Sequence, residues 1–171
     1  MRRDVDLLYE GLFLRTVVEF EDFLETRFFE IVSGRIGGGR ARMGARISTT
    51  SALALREIVL GGDDYVKWLP YSETEDRANR FLKGGRPFSL LGDDDKSKIA
   101  QITFIRHAIA HSSEFARGQF LRKVVGSTNL LPKEKSPAGF LRSVARAPNI
   151  TRYQVYSSAL GSISMKLDRK H

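Results

Sequence analysis

Residues 105–113 read IRHAIAHSS and place one guanidinium and two of the chain's three imidazoles in an otherwise apolar run. Histidine exchanges a proton near neutral pH, and arginine keeps its charge and offers a planar fork that suits phosphate oxygens. Three uses of Arg106, His107 and His111 compete. In the first, they only satisfy neighbours along a helix edge. In the second, His107 and His111, four apart and so on one helical face, hold a metal ion. Against that, Ala108 stands where a zincin carries its catalytic glutamate, cysteine is absent, and the remaining histidine is His171 at the last position. No metal or other cofactor is therefore assigned. In the third, His111 does general acid/base work beside a phosphate that Arg106 holds. Five residues along an α-helix turn through about 140°, so the two side chains do not share a face. A groove receiving both flanks of the helix end would let them meet, and a second protomer is the natural source of such a groove.

The elements that must position these residues are helical. Phe13, Val17, Phe20, Leu24, Phe28 and Ile31 recur at steps of three and four, predicting a long amphipathic helix over 6–32. Glu19, Asp22 and Glu30 fall off that stripe and Glu21 lies at its edge, where salt bridging is its expected role. A short helix is expected over 51–60, capped by STTS and stopped by Gly61-Gly62. Another is expected over 73–82, after a Trp68-Leu69-Pro70 turn, with RPFSLL then docking through Phe88 and Leu91. DDDK at 93–96 suits a helix N-terminus, where acids meet the dipole. Ile99, Ile102, Ile105 and Ile109 give that helix its apolar face up to His111. Residues 112–125 continue it or start a new helix capped by Ser112 or Ser113. STNLLPKEKSPAGF is expected to be a loop, with Pro132 and Pro137 as breakers. A last helix, capped by Asn149 or Thr151, carries Tyr156, Leu160, Ile163 and Leu167. The expected fold is all-α, a bundle of four to five main helices with two irregular basic loops, in a single domain over 1–171.

The first basic loop, over 33–50, contains SGRIGGGRARMGAR, with five glycines and four arginines. It has neither the Gly-Lys-Ser/Thr of a phosphate loop nor the last glycine of a dinucleotide fingerprint, since Arg42 takes that place. It reads as a solvated linker or as an arm by which Arg35, Arg40, Arg42 and Arg46 meet a phosphate backbone. The chain of 171 residues has a formal net charge of +8, which favours a polyanionic partner such as RNA. Its apolar runs are short and interrupted by acids, which fits neither a membrane span nor a signal-peptide core. The lack of cysteine makes the reducing cytoplasm the expected compartment.

Arg106-His107-Ala-Ile-Ala-His111 matches the Arg-polar-x-x-x-His pattern of HEPN domains. With RTVVEFEDFLETRF, RANRFLKGGRPFSLL, SPAGFLRS and ITRYQVYSSAL around it, the chain resembles the RiboL-PSP-HEPN branch of that superfamily over most of its length. The resemblance implies a helical homodimer in which two motifs face one cleft. It further implies endoribonuclease activity without a metal, in which the 2′-hydroxyl of RNA attacks the adjacent phosphate and leaves 2′,3′-cyclic phosphate and 5′-hydroxyl ends. Members commonly act as toxins with a cognate antitoxin protein or in anti-phage defence, and others bind RNA or partners without cutting. On this reading His111 is general base or acid, Arg106 steadies charge on the phosphate, and His107 orients substrate or shapes the cleft. Ser112 and Ser113 cap the next helix or touch phosphate.

Overall fold

A computed structural model describes residues 2–34, 45–47, 51–111, 113–146 and 149–168. Arg35, Arg40, Arg42 and Ser112 lie outside them. The fold is all-α, with seven α-helices among the described residues, five of which have nine residues or more. In chain order they are α1 (Arg2–Ser33), α2 (Ala52–Leu60), α3 (Tyr71–Phe81), α4 (Asp93–Ala110), α5 (Glu114–Phe120), α6 (Pro137–Arg142) and α7 (Arg152–Asp168). No helix among the described residues is long and apolar enough to cross a membrane. The chain divides into two compact units, Met1–Phe20 with Asp94–Ile163, and Glu21–Asp93 with Ser164–His171.

In the first unit, Phe13, Val17 and Phe20 of α1 are buried, as are Ile99, Ile102 and Ile105 of α4. Phe120, Phe140 and Tyr156 form a ring series, at 5.5 Å and 6.2 Å between successive centroids. The Tyr156 hydroxyl donates to Oε1 of Gln101 at 2.9 Å, so its polar end is satisfied against α4. Thr151 and Gln154 close the start of α7 reciprocally, since the Thr151 N–H donates to Oε1 of Gln154 at 2.8 Å and the Gln154 N–H to Oγ1 of Thr151 at 3.3 Å.

Two expectations for this unit need correction. Pro137 does not break a helix but begins one, α6, because a first-turn residue needs no amide hydrogen and Ser136 caps the turn by accepting from the Gly139 N–H at 3.1 Å. Pro132 likewise opens a 3-10 turn over Pro132–Glu134. The structure also holds a small antiparallel ribbon, β1 (Val144–Arg146) with β2 (Ile150–Thr151), pairing Val144 with Thr151 and Arg146 with Ile150. Its turn uses Asn149 at φ 70°, a left-handed conformation that asparagine tolerates.

In the second unit, Phe28 is fully buried and meets the rings of Trp68 at 5.4 Å, Phe81 at 6.0 Å and Phe88 at 6.0 Å. Trp68 donates from Nε1 to Glu25 at 2.9 Å, and Arg56 pairs with the same carboxylate at 3.2 Å. α2 has the caps its sequence promised: the Ser51 hydroxyl accepts from the Ala54 N–H, and Gly61 adopts φ 61° past the last turn. Phe88 and Leu91 are buried as expected.

Candidate functional site

α4 starts on three aspartates and buries Ile99, Ile102 and Ile105 along one face. That anchored face fixes where its C-terminal side chains can go. Arg106 is half-buried, whereas His107 and His111 are exposed. The helix closes with the His111 N–H donating to the His107 carbonyl at 3.0 Å. The Ser113 hydroxyl caps α5 by accepting from the Ala116 N–H at 3.2 Å. One π-helical turn, Leu121–Val125, follows α5. His111 therefore stands in the corner between two helices rather than within one. Its ring centroid is 4.4 Å from that of His107, with the planes at 53°. This is the meeting expected of side chains four apart on a helix.

His111 is one of the residues lining an open cavity of about 270 Å³, with Ala108, Ser113, Arg117, Ser136 and Pro137. Arg117 comes from α5 and is exposed. Ser113 and Ser136 each spend an oxygen lone pair on a helix cap, and each keeps its hydroxyl hydrogen to donate. The cavity thus offers an imidazole, a guanidinium and two hydroxyl donors. No carboxylate is found among the described residues that line it. Ala108 and Pro137 complete the lining, and more of its surface is apolar than polar.

The sequence-selected residues fall into separate places. His107 and His111 are brought together, and Arg106 is not among the residues lining the His111 cavity, in keeping with their separation around the helix. Arg46 is exposed, beside a short bridge between Ala45 and Leu82, and its N–H donates to the Phe81 carbonyl at 2.9 Å. Glu21 is half-buried. Sequence reasoning missed Arg117 and Ser136 as neighbours of His111. The only available signal for Arg117 was its position one turn after a serine cap, which places it on the face of Ser113. Among the described residues no group of three or more histidine or carboxylate side chains is arranged to hold a metal ion. No protein-family model, curated protein or solved structure matches this chain.

Proposed function

We propose that the chain is an endoribonuclease acting on RNA without a metal ion, working as a homodimer. The observation that carries this reading is His111, exposed at a helix end and lining an open cavity with Arg117 and two serines. The chain's net charge of +8 adds the attraction a polyanion needs.

In the reaction, the 2′-oxygen forms a bond to phosphorus and the bond from phosphorus to the 5′-oxygen breaks. A base removes the 2′-hydroxyl proton, and an acid delivers a proton to the departing 5′-oxygen. His111 is placed for either task, and a second group in the cleft supplies the other. Cationic and hydroxyl donors stabilise charge on the five-coordinate phosphorus, where one such contact lowers the barrier by about 3 kcal/mol. Within this reading the chain acts as a toxin or anti-phage effector, restrained by a cognate protein.

The test is incubation of RNA with the protein in chelator. Wild type produces 2′,3′-cyclic phosphate and 5′-hydroxyl ends, and folded His111→Ala and Arg106→Ala variants do not. Equal cutting by wild type and His111→Ala would remove the proposal. The basic charge favours a second reading, a module that binds RNA without cutting. It predicts salt-dependent affinity with no new ends.

A further inference from the structure

We infer that Arg117, rather than Arg106 of the same chain, is the cation that grips the phosphate beside His111. The inference rests on the nuclease reading and assigns the phosphate contact within it. Ala116 and Phe120, four apart and fully buried, fasten one face of α5. Ser113 and Arg117, also four apart, share another face, and both line the His111 cavity. Ser136 and Pro137 complete the lining, and the Ser136 cap fixes the start of α6. Arg117 from α5, the two serine caps and His111 past the end of α4 bound this one space. Arg106 does not line the space, and in a regular helix a position five residues away stands about 140° around the axis. A fixed charge and a proton-transfer group in one cavity are the two elements a phosphodiester needs.

The experiment compares Arg117→Ala, Arg117→Lys and Arg86→Ala, the last removing an exposed arginine outside the cavity. The probes are a labelled oligoribonucleotide and the same sequence made entirely of 2′-deoxynucleotides, which lacks the attacking hydroxyl and cannot be cut by this route. Binding is followed by anisotropy over a range of salt concentrations, and cutting of the ribonucleotide in a single turnover. Circular dichroism checks that every variant is folded.

Arg117→Ala is expected to bind both probes about tenfold more weakly, the worth of one charge-assisted contact. The slope of log affinity against log salt should fall by about 0.7, one phosphate's share on a single strand. Arg117→Lys should lie between, because an ammonium keeps the charge and loses the fork. Arg117→Ala behaving as Arg86→Ala does in affinity and slope would overturn the inference. If wild type cuts RNA and that equality holds, the nuclease reading stands and Arg117 falls. If wild type leaves RNA intact while Arg117→Ala still loses affinity for both probes, the phosphate contact stands and the nuclease reading falls.

Discussion

The imidazoles of His107 and His111 lie 4.4 Å apart, tilted by 53°, yet only His111 lines the cavity at the end of α4. His111 borders the cavity, and His107 stands against His111. Under the nuclease proposal the two are therefore unequal. His111→Ala should lower single-turnover cutting of RNA by about 100-fold or more, the usual loss on removing a general acid or base. His107→Asn, which keeps a polar side chain against His111, should lower it by about tenfold at most. Equal losses at the two positions would mean that His107 also reaches the substrate.

The angular separation of Arg106 from His111 leads to a second expectation. If a twofold dimer brings Arg106 of one chain to His111 of the other, neither single variant has a complete site. A heterodimer of Arg106→Ala and His111→Ala chains then has one intact site and one doubly defective site. Mixing the two inactive proteins after exchange of protomers should restore about a quarter of wild-type activity, since half of the dimers form as mixed pairs with one working site each. Activity that stays at the level of the separate variants would show that Arg106 serves its own chain or that both His111 residues are required.

Tyr156 gives an expectation on stability that does not depend on function. Burial pushes its phenol from the ordinary 10.0 up to about 12, against an opposing pull from the Arg152 charge. The folded chain therefore holds this proton more tightly than the unfolded chain does. The resulting stabilisation is complete below pH 10.0 and is lost as the pH rises toward 12. Its size is about 2–3 kcal/mol. Tyr156→Phe also deletes the bond to Gln101, a loss of about 1 kcal/mol near neutral pH. Urea titrations should show wild type as the more stable protein at pH 8 and the difference vanishing or reversing toward pH 12. A constant difference across that range would contradict the linkage.

The parts of this structure that were legible in the sequence are those set by local rules. The α1 stripe from Phe13 to Ile31 is buried throughout, because a step of three and four residues can only line one face. Ser51 and Gly61 bound α2 as their types require. The last helix was legible from Tyr156, Leu160, Ile163 and Leu167, all of which are buried. Pro137 was misread because a proline both ends and begins helices, and only the serine before it distinguishes the two. The β1–β2 ribbon has three and two residues, too few for alternation to register. Within the cavity, His111 was legible from its type and position. Arg117 and Ser136 were not, since their approach depends on how α5 and α6 pack beside the end of α4. That is a tertiary relationship with no signal in spacing alone.

Arg27 separates two ways of holding a charge inside a protein. Its side chain is 4% exposed, yet its carboxylate partners lie outward: Asp168 at 3.3 Å is 68% exposed and Glu30 at 3.9 Å is 38% exposed. The guanidinium also donates from Nε to the Leu167 carbonyl at 3.3 Å and from Nη2 to the Asp168 carbonyl at 2.9 Å. Those oxygens belong to the last turn of α7, which has no amide of its own helix to receive. If the ion pair dominated, Asp168→Ala and Arg27→Ala would be about equally harmful. Exposure makes the pair weak, about 0–1 kcal/mol, whereas removing the guanidinium orphans two carbonyls and leaves a void. Arg27→Ala should therefore destabilise the protein by about 3 kcal/mol and Asp168→Ala by less than about 1 kcal/mol. Arg27→Lys should recover only part of the loss, because an ammonium is a point charge without the fork that spans both carbonyls. Chemical denaturation of the three variants gives the order directly, and an Asp168→Ala loss matching that of Arg27→Ala would assign the stabilisation to the ion pair instead.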